Sequence, residues 1–264
     1  MTCRFLIGWP VVTVALAAAL SCRAPTGPAE TETGFQPSLP RTADGRPDLT
    51  GIWQVLNTAE WDLQDHLAQK GVPAGEGVVE GNEIPYQPWA LAKKQENYKN
   101  RLTEDPVVAK CFLPGVPRVT YMPYPFQIVQ TPTHVAMLYE YREANRTIYT
   151  DGSSHLPGKI DSFWMGDSRC RWEDDTLVVD TIHLSNQTWF DRAGNFHSEA
   201  LHVVERYTPM GPDHINYEVT IEDPTVFTRP WKMSMPLYRR KEPHVRILEY
   251  PCFRFLQEEL QPTK

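Results

Sequence analysis

A basic excess is missing from this chain. Its 264 residues hold 26 Lys and Arg against 33 Asp and Glu, a net charge of −7. Phosphate binding needs clustered cations rather than this balance, and Arg239-Arg240-Lys241 is too short to reverse it. No nucleic-acid partner is expected. After residue 22 no apolar run approaches the about 20 residues that a spanning helix needs, which excludes a transmembrane segment there. Close cysteine pairs are absent too. The five cysteines stand at positions 3, 22, 111, 170 and 252 and give no zinc signature. There is no nucleophile elbow, phosphate loop, dinucleotide fingerprint or His-Glu-x-x-His motif, so no recognised catalytic constellation, cofactor or metal is implied.

What is present at the start is an export signal. Arg4 precedes the apolar run 5–20, which Gly8 and Pro10 interrupt and which stops short of a membrane span. An uncleaved anchor is the alternative. Ala19-Leu20-Ser21-Cys22 resembles the bacterial lipobox, which implies lipidation of Cys22, although Leu20 is bulkier than the usual residue and ordinary cleavage is also open. Arg23 stands where an Asp would retain a lipoprotein at the inner membrane. The resemblance therefore implies an outer-membrane lipoprotein on the periplasmic side of the envelope. Residues 23–46, rich in Pro, Thr, Gly and Glu, read as a flexible tether. Residues 47–264 suit one β-rich domain.

Three cysteines remain for that domain in an oxidising compartment. Cys111 precedes the main run of strand signals and Cys252 follows the last, so a Cys111–Cys252 disulfide would staple both ends of that run. Three buried free thiols are the alternative.

Along the domain, Gly51-Ile52-Trp53 reads as the start of a first strand. Residues 71–87 form a Gly-rich loop spotted with Val. Pro88 suits the first position of a helix over 88–102, the one long helical signal. From 116 onward, runs of Val, Ile, Tyr and Thr separated by turn residues predict about ten strands, at 118–122, 126–130, 134–141, 146–150, 168–172, 176–184, 200–208, 214–221, 231–238 and 245–250. Their hairpin-length connections favour an antiparallel meander. Leu177, Val179, Thr181 and His183 oppose Val178, Asp180 and Ile182, while Leu201, Val203, Glu205 and Tyr207 oppose His202, Val204 and Arg206. Polar residues on both faces fit a closed barrel with a partly polar lumen, one helix and long capping loops.

Gly51 and Trp53 on an opening strand ahead of such a meander resemble the lipocalin-like, or calycin-like, barrels. That resemblance implies a late-strand Arg covering the Trp, for which Arg246 is the candidate. A second resemblance covers more of the domain. Residues 47–53, 113–118, 124–131, 164–168 and 191–194 (among them Pro114-Gly115-Val116-Pro117-Arg118 and Trp164-Met165-Gly166-Asp167-Ser168) are similar to segments of a family of uncharacterised exported bacterial proteins. It implies export and an intact domain and transfers no activity or catalytic residue.

Polar and aromatic residues are densest over 151–202, with Asp151, Gly152, His155, Asp161, Trp164, Asp167, Trp189, Asp191, Arg192, His197, Ser198 and His202. Loops on a rigid barrel are where sites are mounted. Asp151-Gly152 and Asp191-Arg192-Ala193-Gly194 are also plain turn formers. An enzymatic reading, a hydrolase or isomerase without cofactor, pairs His155 or His197 as base with Asp167 or Asp191. A metal reading gathers His183, His197, His202 and Asp191, but its spacing is unspecific. The many large rings favour binding of a small hydrophobic or aromatic molecule in a barrel pocket, with Trp164, Trp189, Tyr124 and Arg192 as ligand contacts. A structural or protein-interaction role in the envelope is the remaining alternative.

Overall fold

The computed structural model describes residues 39–158, 160 and 163–252. The signal with Cys3 and Cys22, the tether up to residue 38, and Asp161 lie outside them. By backbone contacts the chain divides into residues 1–35 and a unit of 36–264, and the latter carries the fold. Among the described residues no helix is long and apolar enough to cross a membrane.

Nine strands, β1 (Gly51–Val55), β2 (Phe126–Gln130), β3 (His134–Tyr139), β4 (Asn145–Tyr149), β5 (Asp167–Glu173), β6 (Thr176–Ile182), β7 (His202–Gly211), β8 (His214–Glu222) and β9 (Trp231–Arg239), pair in chain order among the described residues. β9 returns to β1, with Trp53 opposite Arg239 and Val55 opposite Leu237, closing a barrel. All pairs are antiparallel except β4 and β5, where Ile148 lies opposite Ser168 in parallel. A parallel neighbour requires the chain to travel back along the sheet, and residues 150–166 supply that crossover. The helix α1 (Pro88–Glu104) begins with Pro88 at its first turn, as expected, and is followed by the short α2 (Pro106–Ala109).

Two expected strands are not strands. Residues 118–122 coincide with a 3-10 helix, Arg118–Tyr121, whose four residues are all buried. Val and Tyr there fill space from every side, so no pleat forms. Residues 245–250 make only an isolated bridge, Tyr141 to Tyr250. With β1 and β9 paired, the barrel has no free edge left for another strand. For the same reason the Arg on Trp53 is not Arg246 but Arg239, the last residue of β9, whose guanidinium lies 4.2 Å from the indole. Arg239 also donates to the carbonyls of Thr50 and Pro212, each at 2.7 Å. Gly51 makes room for it: a Cβ there would stand 2.0 Å from Arg239 Nη1.

The expected alternation is present in β7, where Val203, Glu205 and Tyr207 are fully buried; in β6 Leu177, Val179 and Thr181 are fully buried, but Val178 on the opposing face is covered as well. The interior is filled rather than hollow. Arg146 and Glu205 form a buried ion pair. Arg146 also donates to Ser168 Oγ (2.9 Å) and Thr181 Oγ1 (2.7 Å), while Tyr207 and Tyr217 donate to Glu205 Oε1 at 3.0 and 2.7 Å. Large side chains such as Phe126, Met137, Ile148 and Leu237 surround this network.

Strand polarity sorts the connections by end. Tight turns at 131–133, 174–175 and 212–213 close one end, and the long connections 56–125, 183–201 and 223–230, with the short 140–144, lie at the other. At this loop end Cys111 is bonded to Cys252, with Cα atoms 5.7 Å apart. Cys170 is free, and burial pushes its thiol up to about 11, which leaves little thiolate for reaction.

Candidate functional site

His155 and Asp167 do meet, His155 Nδ1 lying 3.0 Å from Asp167 Oδ2. The contact is one link of a longer chain on the outer wall. His155 Nε2 reaches Asp180 Oδ1 at 2.8 Å, Asp180 Oδ2 reaches His202 Nε2 at 2.9 Å, and His202 Nδ1 reaches Glu222 Oε2 at 3.2 Å. Both ring nitrogens of each imidazole are thus taken up by carboxyl groups of the protein. The hydrogen bond to Asp180, against the effect of burial, pushes His202 up to about 8. This chain fastens the 150–166 crossover to β6 and β7.

His197 and Asp191 are placed apart from one another in bonding. His197 is buried, with Nε2 2.8 Å from Thr188 Oγ1 and Nδ1 donating to Ser198 O at 3.0 Å, and burial lowers its pKa. His183 Nε2 donates to Leu156 O (3.1 Å), so His183, His197, His202 and Asp191 each have separate partners. Trp164 packs on Phe112 with ring centroids 4.8 Å apart. Trp189 is buried and lines, with Phe112, Asn97 and Lys93, a polar cleft of about 600 Å³ beside α1.

Tyr124 and Arg192 come together at the loop end. Asp191, fully buried, is the hub that sets them there. Its Oδ2 accepts from Leu63 N (2.9 Å) and Asn195 Nδ2, and its Oδ1 from Asn195 N (3.1 Å), tying the 60–63 segment to the 191–195 turn. Arg192 N donates to Glu60 O at 2.9 Å. Gly194, at φ +83°, lets this turn press on α1: a Cβ would lie 2.7 Å from Asn97 Cβ. Asn97 Nδ2 donates to Gly194 O at 3.1 Å.

Held this way, the Arg192 guanidinium lies over the Trp61 ring, 3.8 Å from its centroid. Among the described residues none of its N–H groups is engaged in a hydrogen bond or ion pair. It lines two cavities. One, of about 220 Å³, is walled by Tyr124, Tyr141, Tyr250, Arg142 and Glu60 and by the Cys111–Cys252 disulfide. There Tyr124 Oη donates to Tyr250 Oη (2.7 Å) and the Tyr124 ring packs on Tyr141 and Tyr250 at 5.0 and 4.5 Å. Arg142 Nε and Nη1 are buried with no hydrogen-bond partner among the described residues. The other, of about 320 Å³, is lined by Trp61, Asp62, His66, Tyr98 and Arg101. The Arg101 guanidinium lies 4.1 Å from the Tyr98 ring.

The carboxyl groups around Arg192 are held neutral more readily than in water. Burial raises Glu60, against the pull of Arg118 and Arg192. Burial, and then the neighbouring Asp62, push Asp191 up to about 7, against its three N–H donors. Burial raises Asp62 as well. Such shifts gather where ionisable groups share a cleft.

Sequence reasoning placed Tyr124 and Arg192 here and missed Glu60, Trp61, Asp62, His66, Arg101 and Arg142, because it weighed the density of 151–202 above the long 56–125 connection. The Gly-rich stretch was the available signal. A Cβ on Gly75 would stand 2.9 Å from His66 Cε1, and one on Gly77 2.7 Å from Asp65 N. These glycines mark where backbone approaches the segment that carries Asp62 and His66.

Comparison of the chain with models of known families, with curated proteins and with solved structures gives no match.

Proposed function

We propose that this is an exported protein of the cell envelope that binds a small aromatic anion at the loop end of its barrel, with Arg192 as the anchor. One observation carries the reading. Arg192 is stacked on Trp61, positioned by the Asp191 hub, and presents its N–H groups, five in a guanidinium, unspent between two ring-lined cavities. A planar cation held in place loses little freedom on binding, and its charge-assisted bonds to a carboxylate are strong. The rings of Tyr124, Tyr141, Trp61 and Tyr98 suit an aromatic partner. The site lies beside the filled lumen rather than in it, under the capping connections. Export is supported by the apolar run 5–20 and by the Cys111–Cys252 disulfide, since such bonds persist in oxidising compartments. Attachment to the membrane through a lipid on Cys22 belongs to the same proposal.

Native mass spectrometry of the full protein, purified from its own envelope without denaturation, tests it. The expected result is a copurifying mass on the order of a few hundred daltons, the size such pockets take. Arg192→Gln should lower affinity for that molecule by roughly 10- to 100-fold, the worth of one charge-assisted contact. A bare apo mass, together with no calorimetric response to a panel of aromatic carboxylates, overturns the reading. An unchanged affinity in Arg192→Gln removes Arg192 as the anchor.

A further inference from the structure

The cavity lined by Trp61 holds groups that binding alone does not require. His66 opens a hairpin over 66–75, paired with Gly75 through two backbone bonds of 3.0 Å. Its Nδ1 lies 2.9 Å from Gln64 O. A carbonyl can only accept, so Nδ1 donates and Nε2 is the nitrogen left for a further partner. That Nε2 is buried and has no hydrogen-bond partner among the described residues. His155, His197 and His202 all spend both ring nitrogens on protein groups; His66 does not.

Asp62 lines the same cavity and uses Oδ1 to accept from Gln64 N at 3.0 Å. Burial raises Asp62, and its charge in turn disfavours ionisation of Asp191. An imidazole with an unpartnered nitrogen, the Asp62 carboxyl, two guanidinium groups and two ring faces thus line one cavity of about 320 Å³. That volume is at the small end of ligand pockets, which suits a single-ring molecule.

We propose that this cavity catalyses the keto–enol tautomerisation of a small aromatic 2-oxo acid. The inference rests on the binding reading and names the substrate class of that site. The substrate carboxylate pairs with Arg192 and its ring lies against Trp61 or Tyr98. His66 Nε2 takes a proton from the carbon next to the carbonyl. The electrons of that C–H bond form the C=C bond, the C=O π pair moves to oxygen, and the oxygen takes a proton from the Asp62 carboxyl. The imidazolium then loses its proton to water and the Asp62 carboxyl regains one from water, so no oxidant or second reactant is consumed. Nε2 is covered in the closed cavity, and entry of the substrate displaces the 66–75 hairpin. Four backbone hydrogen bonds close that hairpin, and Tyr98 Oη to Gln69 Oε1 (2.9 Å) joins it to α1.

The test uses the full protein with phenylpyruvate as probe. Binding is followed by calorimetry, and tautomerisation by the decay of enol absorbance and by deuterium uptake at C3 in heavy water. The wild type should bind the probe and accelerate exchange above buffer. His66→Gln should slow exchange by roughly 100-fold or more, the range of a lost general base, with affinity kept within about 3-fold. Asp62→Asn, which removes the acid without touching the hairpin's backbone bonds, should also slow it while the fold is retained by circular dichroism. Wild-type binding without acceleration overturns the catalytic inference and leaves the binding reading standing. Exchange as fast in both variants as in the wild type removes His66 and Asp62 from the chemistry. Failure of the probe to bind, with another anion bound through Arg192, overturns this substrate class alone.

Discussion

Replacing Glu205 by Gln tests whether the barrel interior is a structural network. Arg146 is 3 % exposed and Glu205 fully buried. The substitution leaves the Gln carbonyl able to accept from Tyr207 and Tyr217 but deprives a buried guanidinium of its counter-charge. Breaking such a pair from one side costs about 3–5 kcal/mol. The surviving bonds from Arg146 to Ser168 and Thr181 place the loss toward the lower figure, about 3 kcal/mol. For a domain of this size that corresponds to a fall in Tm of about 6–12 °C. Arg146→Met with Glu205→Leu removes both charges, orphaning the Tyr207 and Tyr217 hydroxyls at about 1 kcal/mol each. The double variant should therefore lose at least about 2 kcal/mol less than the two single losses added together, the signature of a coupled pair. Chemical denaturation of the wild type, Glu205→Gln, the single variants Arg146→Met and Glu205→Leu, and their double, monitored by tryptophan fluorescence, measures all of this. A Glu205→Gln loss under about 1 kcal/mol, or simple additivity in the cycle, would refute the account and reopen the lumen as a place for ligand.

The wall chain gives a pH dependence. His202 is pushed from 6.5 up to about 8, so its contribution to stability is complete below about 6.5 and is lost as pH rises through about 8. Asp180 is held below its usual value chiefly by the same His202, so its contribution is present above about 4 and is lost as pH falls. The His202 shift of 8 − 6.5 = 1.5 units equals about 2 kcal/mol, or about 1 after allowing for a ring one-third exposed. Unfolding free energies at pH 6 and pH 9 should thus differ by about 1 kcal/mol more in the wild type than in His202→Gln, and parallel curves refute it. Cys111 and Cys252 are 141 residues apart, so replacing both by Ser should cost up to about 5 kcal/mol on the loop-entropy scale. Urea unfolding with and without reductant checks this, and insensitivity of the wild type to reductant contradicts it. Gly51→Ala should drive Arg239 off Trp53 and destabilise by about 1–3 kcal/mol, read by unfolding and by the Trp53 emission; a neutral result means the close approach at Gly51 is not limiting.

The barrel was legible where one face is core and the other is water. Val203, Glu205 and Tyr207 against His202, Val204 and Arg206 follow the two-residue period, and the pattern predicts the strand and groups Glu205 with Val203 and Tyr207 on the face that the structure turns inward. It failed where burial is not one-sided, as at 118–121, and where β-forming residues such as Val245 and Ile247 come after the sheet has closed. The parallel step between β4 and β5 leaves no mark in local composition, because a crossover of irregular chain looks like any long loop. In the site, Arg192 and Tyr124 stood out by type. His66 did not, because what distinguishes it from His155 or His197 is an unspent nitrogen, and that depends on contacts from segments distant in sequence.

The barrel's two unlike ends give the molecule a front and a back. β1 rises from the end closed by tight turns, and just ahead of it Arg41 clasps Asp175 of the β5–β6 turn with two bonds of 2.9 and 2.8 Å. A molecule grasped from the N-terminal side of β1 is therefore grasped by its back, with Arg192 and its cavities facing outward. Coupling to a sensor chip, a fusion partner or a bead is best made there. Tyr250 and Cys252 themselves wall a cavity that the experiments need open, so their segment is the wrong place for a handle.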